Sequence, residues 1–482
     1  MKIKVLFVVS EMTPWVKTGG LGDVAAALPA AMRAAGLDVR ILLPAYPALK
    51  AAFPDATPLA SFSALDRSVV LYMATTAQGL PLYLLECGDW FERPGNPYLA
   101  PNGIDWPDNA LRFGLLSRVA ALLAGSDSPL DWRPDILHCN DWQTALAPAY
   151  LHYLPHETTK AAASVMTIHN LAFQGLFGRD LLPALELPDD AWAMDGVEYH
   201  GYLSFLKAGL QYADAITTVS PAYAQEIQTP ADGMGLDGLL RYRADRLSGI
   251  LNGIDTTQWN PATDPYLAAA YDTVRLDKKT SNKAALRSEL GLAMTDMPLI
   301  GIVSRFTEQK GLDLVAGIAD ALAGLPVQLA VLGNGMPKME AAFRAMASRW
   351  PGQFAVHVGF DEKLAHRIEA GADIFLMPSR FEPCGLNQMY SLRYGTPPIV
   401  RATGGLADTV IDAGDTRRGN GFVFGPATPV ALLAAIRRAV ALWRDNPRRW
   451  ETLQRRGMST DFSWRAPAQR YANLYHALLK MH

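Results

Sequence analysis

The stretch Lys17-Thr18-Gly19-Gly20-Leu21-Gly22-Asp23 follows an apolar run, Val5–Val9, and leads into a segment with helical spacing. The pattern Thr-Gly-Gly-Leu-x-Asp recurs from Thr403 to Asp408, after a second apolar run, Pro398–Val400. A glycine pair between a buried strand and a helix lets backbone N–H groups approach an anion closely, and the positive end of the helix favours negative charge. Two such turns in two halves of one chain predict one ligand with an anionic part, held from both sides.

Short apolar runs of strand length recur along both halves and alternate with segments of helix length. The first half holds Val5–Val9, Val39–Leu43, Leu82–Leu85, Ile136–Cys139, Val165–His169 and Ala215–Val219. The second half holds Leu299–Ser304, Val327–Leu332, Ala355–Val358, Ile374–Met377 and Pro398–Val400. Several runs are continuously apolar, which is typical of strands buried on both faces of a parallel sheet. The pattern predicts two doubly wound α/β domains with ligands at the carboxyl ends of the strands.

The domain boundary is predicted near Leu247–Ile254, where a polar, proline-containing stretch begins. This places one domain at residues 1–246 and a second at 247–458, with the amphipathic C-terminal segment 459–482 rejoining the first. The helix that follows the first glycine pair contains Pro29, which should kink that helix or end it early.

Composition excludes several classes of function. The 482 residues include 44 Lys and Arg against 47 Asp and Glu, so the chain lacks the basic surface expected for binding nucleic acid or an anionic membrane. It contains no apolar stretch long enough to span a bilayer. Its three cysteines have no metal-ligand spacing, and a reducing, cytoplasmic setting is expected. The absence of a P-loop, a G-x-S-x-G elbow and a dinucleotide fingerprint argues against an NTPase, an α/β-hydrolase and a nicotinamide dehydrogenase.

Charged residues stand at several predicted strand ends. Lys17 precedes the first glycine pair, and Arg305 and Lys310 follow the run Leu299–Ser304. Cations at this edge of a sheet suit phosphate oxygens, although solvated surface positions are the alternative. Glu382 follows another strand; it could bind sugar hydroxyls or stabilise positive charge, or it could simply offset a helix dipole.

Polar residues also end two neighbouring strands of the first half. One group is His138-Cys139-Asn140-Asp141-Trp142, and the other is Thr167-Ile168-His169-Asn170. Groups at two strand ends on one sheet edge can converge on a ligand, whereas a lone histidine there is most often structural. A loop that contains Tyr98 combines aromatic, amide and carboxylate groups, which suit carbohydrate rings but also occur on surfaces without function.

Together these motifs resemble the bacterial glycogen synthase and plant starch synthase family, and bacterial glycogen synthases most. The matching segments, in the family's order along nearly the whole chain, are Lys17–Val24, Asn140–Trp142, Thr167–Asn170, Asn252–Asp255, Ser304–Arg305 with Gln309–Gly311, Pro378–Leu386 and Thr403–Val410. The resemblance implies the glycosyltransferase-B architecture, two Rossmann-like domains that face a deep cleft. It also implies a retaining hexosyltransferase that moves glucose from ADP-glucose to the non-reducing 4-OH of an α-1,4-glucan and so elongates glycogen.

The resemblance carries donor-binding roles onto matching positions. Lys17 and Gly20 should contact ADP-glucose, Arg305 and Lys310 should hold its diphosphate, and the turn Gly404-Gly405-Leu406 should complete the phosphate site. Such sites work without a metal, so neither a metal nor another cofactor is expected. Replacing Lys310 with Ala should cripple turnover and leave the fold intact.

The resemblance also implies roles around the transferred sugar. Glu382 should contact the glucose, His169 should place its carbonyl near the anomeric carbon, and Asp141 should help position donor and acceptor. With no convincing enzymatic nucleophile, a front-face route is expected, in which the leaving phosphate takes the acceptor proton. The candidate acceptor-binding residues are Tyr98, Trp142 and Asn170.

Three alternatives stay open at the level of sequence. The chain could be another sugar-nucleotide transferase of this architecture with a different donor or acceptor, a nucleotide-sugar epimerase, or a silent glucan-binding protein. An epimerase would need a carboxylate pair around the sugar, which the sequence does not offer. A glucan-binding protein without catalytic activity would not need Lys17, Arg305, Lys310 and Glu382. The sequence does not indicate an oligomeric state.

Overall fold

The structure, a computed structural model, describes residues 2–153 and 161–481. It divides into two compact units, Met1–Gly253 with Trp464–His482, and Ile254–Ser463. The strand Leu247–Gly249 begins where the sequence places the domain boundary, and it pairs in parallel with Ala215–Thr218 of the first unit. Since this strand completes the first sheet, the first unit continues to Gly253.

The first unit is built on a nine-stranded sheet with a separate three-stranded sheet. Its strands are β1 Lys4–Val8, β2 Asp38–Pro44, β3 Thr57–Ala64, β4 Arg67–Thr75, β5 Pro81–Glu86, β6 Ile136–Asn140, β7 Ala163–Ile168, β8 Leu176–Phe177, β9 Glu198–Tyr199, β10 Tyr202–Ser204, β11 Ala215–Thr218 and β12 Leu247–Gly249. The large sheet has the order β12-β11-β7-β6-β1-β2-β5-β4-β3, and the small one the order β8-β10-β9. All six strands predicted in the first half are present.

The hairpin β3–β4 at the edge of the large sheet is antiparallel and was not predicted. Residues on β3 are mostly exposed or half-buried, unlike the fully buried β6 and β7. An edge strand that faces water needs no continuous apolar run, so its sequence carries a weaker strand signal.

Helices cover both faces of the large sheet. They are α1 Gly20–Ala34, α2 Pro47–Ala52, α3 Asn109–Ala124, α4 Leu146–Tyr153, α5 Phe205–Tyr212, α6 Pro221–Glu226 and α7 Asp237–Tyr242. The prediction that Pro29 ends α1 early is wrong, because the helix continues through it to Ala34. Pro29 is buried together with Val24, Leu28 and Met32. Burial of this face stabilises the helix enough to tolerate one missing backbone hydrogen bond.

The second unit is a six-stranded, fully parallel sheet. Its strands are β13 Leu299–Val303, β14 Gln328–Gly333, β15 Phe354–Val358, β16 Ile374–Met377, β17 Pro398–Arg401 and β18 Phe422–Phe424, in the order β15-β14-β13-β16-β17-β18. Its helices are α8 Lys279–Leu290, α9 Leu312–Gly317, α10 Ala319–Ala323, α11 Pro337–Arg349, α12 Glu362–Gly371, α13 Asn387–Arg393, α14 Gly404–Thr409, α15 Pro429–Asp445 and α16 Pro447–Ser459. All five strands predicted in the second half are present. The predicted α/β class with two doubly wound units is confirmed.

The last helix, α17 Arg465–Met481, belongs to the first unit and packs against α1. The Tyr475 hydroxyl lies 2.6 Å from Nδ1 of His138 on β6, and Thr167 Oγ1 lies 2.6 Å from Nε2 of the same ring. Burial lowers the pKa of His138 to about 3, so the ring is neutral and fully hydrogen-bonded. His138 is therefore a structural residue that ties the C-terminal helix to the sheet.

Within residues 2–153 and 161–481, no helix is both long and apolar enough to cross a membrane.

Candidate active site

The carboxyl ends of β6 and β7 bring together the polar residues that the sequence singled out in the first unit. One oxygen of Asp141 accepts hydrogen bonds from the backbone N–H groups of His169, at 2.7 Å, and Asn170, at 3.3 Å. Nε2 of His169 lies 2.9 Å from Oδ1 of Asn140. Because β6 and β7 are adjacent and parallel, their ends meet at one sheet edge, and the two motifs form one hydrogen-bonded cluster.

Burial sets the charges in this cluster. It raises the pKa of Asp141 to about 7 despite the two amide donors, and it lowers the pKa of His169 to about 3. His169 is therefore neutral, and we assign its proton to Nε2 because Asn140 presents its oxygen to that atom while its amide nitrogen donates to Val8 O. Asp141 also has a φ of 56°, a left-handed conformation that is strained for a residue with a side chain.

The first glycine loop is organised by carboxylates. The Thr18 N–H donates to Oε2 of Glu11 at 2.5 Å, and Lys17 Nζ lies 2.8 Å from Oδ1 of Asp23. Burial raises the pKa of Glu11 to about 7. Gly20 is exposed and begins α1. Glu11 lies beyond the first strand, at the same sheet edge as Asp141, but no motif in the sequence singles it out.

The three residues predicted to bind acceptor are all engaged within the first unit. The Tyr98 hydroxyl lies 2.7 Å from Ser10 Oγ, and its ring packs on Phe113. The Trp142 ring packs at 5.2 Å from the ring of Phe113, between centroids, and also contacts Phe177 and Phe205. Oδ1 of Asn170 accepts the N–H of Ala172 at 3.1 Å. Both aromatic rings remain half-buried, and their acceptor role stays a prediction.

In the second unit, the structure pairs Lys310 with Glu382. Nζ of Lys310 lies 2.9 and 2.6 Å from the two carboxylate oxygens, and the Ser379 hydroxyl donates to one of them at 2.9 Å. The side chain of Glu382 is 7% exposed and that of Lys310 is 16% exposed. These residues come from the loops that follow β13 and β16, which are neighbours in the sheet. The geometry thus places an ammonium and a carboxylate together at the carboxyl edge.

Arg305 differs from Lys310 in its surroundings. It is exposed, and within residues 2–153 and 161–481 its guanidinium has no ion-pair partner. The same loop region is held by Arg380, which forms a bidentate pair with Asp313 at 2.6 Å for each contact. At the carboxyl edge of the second sheet, Lys310 is therefore held by an ion pair, whereas Arg305 is available to bind an anion.

The second glycine turn packs directly on the loop that carries Glu382. Gly404 has a φ of 43°, and a Cβ placed there would overlap the carbonyl oxygen of Glu382. A Cβ on Gly405 would overlap the carbonyl oxygen of Cys384. The Gly405 N–H donates to Glu382 O at 3.1 Å, and the Leu406 N–H donates to Thr403 O at 3.1 Å. The glycine pair is thus required for this close approach, and its contact with phosphate remains a prediction.

A further exposed aromatic residue stands at the carboxyl end of β15. Phe360 is 78% exposed and follows the strand after Gly359. Phe360 is not among the site residues predicted from the sequence, although an aromatic residue just beyond a parallel strand marks the ligand-binding edge of such a sheet. Among the described residues, no group of three or more His, Cys, Asp or Glu side chains is placed to hold a metal ion.

Two family models match this chain: the starch synthase catalytic domain over residues 4–242, and the group 1 glycosyl transferases over residues 286–455. The glycogen synthase of Dechloromonas aromatica is 61% identical over 480 residues, which cover 98% of each chain. That of Aromatoleum aromaticum is 54% identical over 485 residues, which cover 99% of this chain and 97% of the relative.

Two solved structures resemble the chain over the whole length of both partners. The catalytic domain of starch synthase IV from Arabidopsis thaliana, solved with bound ADP and acarbose, has a TM-score of 0.88 at 33% identity. Sucrose-phosphate synthase from Thermosynechococcus elongatus has a TM-score of 0.59 at 18% identity, a likeness of fold alone.

Proposed function

We infer the activity from one premise: this chain belongs to the glycogen synthase family. Its two Rossmann-like units are those of the glycosyltransferase-B architecture, and the protein is a glucosyltransferase that elongates glycogen. We propose that its donor is ADP-glucose and that glucose passes to the non-reducing 4-OH of an α-1,4-glucan with retention of configuration. The observation that carries the site assignment is the buried pair Lys310–Glu382 at the carboxyl edge of the second sheet.

We assign donor binding to the second unit, Ile254–Ser463. Arg305 and Lys310 would hold the diphosphate, next to the turn Gly404–Leu406. As the glycosidic bond breaks, the leaving diphosphate gains negative charge, so fixed cations stabilise the transition state more than the ground state. The exposed ring of Phe360 offers a flat face on which a purine base could stack. The ADP bound to the related starch synthase IV supports this assignment.

Glu382 is our candidate for contact with the transferred glucose. Its carboxylate can accept hydrogen bonds from sugar hydroxyls, and its pairing with Lys310 brings the sugar-binding group and the phosphate-binding group side by side. Both oxygens are held by Lys310 or Ser379, which fixes the carboxylate in one orientation. Pre-organisation of this kind avoids a reorganisation cost in the transition state.

The first unit, Met1–Gly253 with Trp464–His482, is our candidate for acceptor binding. Asp141 would position the sugars, and the His169 carbonyl would face the developing oxocarbenium ion. The neutral state of the His169 imidazole is favourable for this role, because a charged ring would repel the positive charge of that ion. Tyr98, Trp142 and Asn170 remain the candidate acceptor contacts, and Lys17 with Gly20 would contribute to donor binding.

Retention is proposed to follow a front-face route. The leaving phosphate takes the proton from the attacking acceptor hydroxyl, so that the group that leaves also serves as the base. No covalent glucosyl intermediate on the protein is required. The setting in which we expect the reaction is the bacterial cytoplasm, where the three cysteines stay reduced.

A donor panel tests the function. We expect labelled glucose to pass from ADP-glucose to glycogen, with release of ADP and no requirement for an added metal. UDP-glucose should be used poorly. An Asp141→Asn variant should serve as the inactive control. Failure to incorporate glucose from ADP-glucose, with efficient use of another nucleotide sugar, would assign the chain to a different transferase specificity.

A further inference from the structure

The loop that follows β7 presents one aromatic side chain to solvent. Phe173 is 51% exposed and lies three residues beyond Asn170. A single exposed apolar side chain is common on protein surfaces and has no meaning by itself. The position of Phe173 suggests a function, because its loop starts at the polar cluster of Asp141 and His169.

The first part of the loop is held at each step by hydrogen bonds. Leu171 is fully buried, and its N–H donates to the Tyr223 hydroxyl at 3.1 Å. The N–H groups of Ala172 and Phe173 donate to Oδ1 and to the backbone oxygen of Asn170, at 3.1 and 3.2 Å. The backbone of Phe173 is thus fixed directly to a residue of the polar cluster.

The second part of the loop is held as firmly. Nε2 of Gln174 donates to Met234 O at 3.0 Å, and the Phe205 N–H donates to Gly175 O at 3.0 Å. Gly175 lies so close to the Trp142 indole that an added Cβ would overlap the ring. The exposure of the phenyl group is therefore a property of a rigid loop and does not reflect a frayed one.

We propose that Phe173 is a stacking platform for the acceptor, on which one glucose ring of the α-1,4-glucan lies face to face with the phenyl group. This inference rests on the proposed function. A glucose ring has equatorial hydroxyls and flat faces of C–H groups, which pack well on an aromatic face. An uncharged glucan can form no ion pairs, so apolar stacking and hydrogen bonds must supply its affinity.

The position of Phe173 favours the acceptor over the donor. Phe173 belongs to the first unit, with Asp141 and His169, whereas the candidate diphosphate cations Arg305 and Lys310 belong to the second. Because Phe173 is fixed to Asn170, its apolar ring lies beside the polar cluster. Ligand sites combine apolar or aromatic surface with a few polar groups in this way, and a sugar chain can use both. A rigid platform also loses little conformational entropy when the glucan binds.

Steady-state kinetics with maltoheptaose as acceptor test the proposal. We expect Phe173→Ala to raise the KM for maltoheptaose about tenfold, which corresponds to about 1.4 kcal/mol. The KM for the donor and the kcat at saturating acceptor should change less than about twofold. Phe173→Tyr, which keeps the ring, should behave as the wild type, and Phe173→Leu, which keeps apolar bulk without a flat face, should behave as Phe173→Ala.

Tyr242→Ala is the matched control, because Tyr242 is 79% exposed in the same unit and ends α7. Its acceptor KM should equal that of the wild type, and all variants should melt at the wild-type temperature. An unchanged acceptor KM in Phe173→Ala overturns the proposal, as does a wild-type KM in Phe173→Leu. A change in oligomeric state with unchanged glucan affinity would instead assign the ring to contact with a second copy. Inactivity of the wild type with ADP-glucose would refute the proposed function, which is a different outcome.

Discussion

Replacing Lys310 with Ala removes the ammonium group from a carboxylate that the fold keeps 7% exposed. Nζ lies 2.9 and 2.6 Å from the two oxygens of Glu382, and the Ser379 hydroxyl stays as a donor to one of them. Removal of one member of a buried ion pair costs about 3–5 kcal/mol. Because Lys310 retains 16% exposure, we take the lower end, about 3 kcal/mol. In a unit the size of Ile254–Ser463, this lowers Tm by roughly 6–12 °C.

Urea unfolding and thermal melting of a double-mutant cycle measure this effect. Glu382→Gln in the Lys310→Ala background should restore most of the lost stability, because a neutral amide needs no counter-charge. Turnover with ADP-glucose should be lost in Lys310→Ala, in Glu382→Gln and in the double variant. From the sequence alone, Lys310→Ala is expected to lose turnover and to keep its fold. The ion pair with Glu382 predicts in addition that this variant is less stable than the wild type. A Tm for Lys310→Ala within roughly 2 °C of the wild type would refute the reasoning.

Four other variants separate the effects of charge from those of packing. Arg305→Ala should weaken ADP binding roughly tenfold in calorimetry without a change in Tm, because the guanidinium is exposed; a lowered Tm would contradict this. Burial raises the pKa of Asp141 from 3.8 to about 7, so the folded protein loses stability as the pH rises from about 4 to 7. Asp141→Asn should therefore abolish transfer, yet its free energy of unfolding at pH 8, measured in urea, should exceed that of the wild type by up to about 4 kcal/mol. Near pH 4 the two proteins should be equally stable. Equal stability at pH 8 would count against the shifted pKa. Gly405→Ala should lower both Tm and turnover, because the added Cβ overlaps the carbonyl oxygen of Cys384. In Gly19→Ala the added Cβ meets no atom within 4 Å, so this variant should keep the wild-type Tm. Equal Tm values for the two variants would argue against the overlap.

The buried strands were predictable from sequence because parallel strands covered on both faces are continuously apolar. Leu299–Val303 and Ile374–Met377 are examples, and each was located to within a residue. The edge strand Thr57–Ala64 lacks that run, since much of it faces water. Pro29 was misread because a local rule about proline ignores the burial of the surrounding helix face.

The candidate site was predictable only as separate motifs. Lys310 and Glu382 are 72 residues apart, and nothing in either motif indicates that they form an ion pair. Glu11 has no neighbouring motif, and a lone carboxylate in sequence is indistinguishable from a solvated one. Its burial and its bond to the Thr18 N–H depend on how α1 and β1 pack, which is a property of the folded unit.

The second unit is an insertion within the chain of the first, and this has a consequence for synthesis. The Ile254 N–H donates to Phe462 O at 2.8 Å, so the two ends of the insertion are adjacent. At about 5–20 residues per second, a ribosome needs roughly 10–40 s to pass from Ile254 to Ser463. Throughout that time, His138 lacks the hydroxyl of Tyr475, which lies on the last helix. The inserted unit can therefore fold cotranslationally before the unit that surrounds it has its last helix.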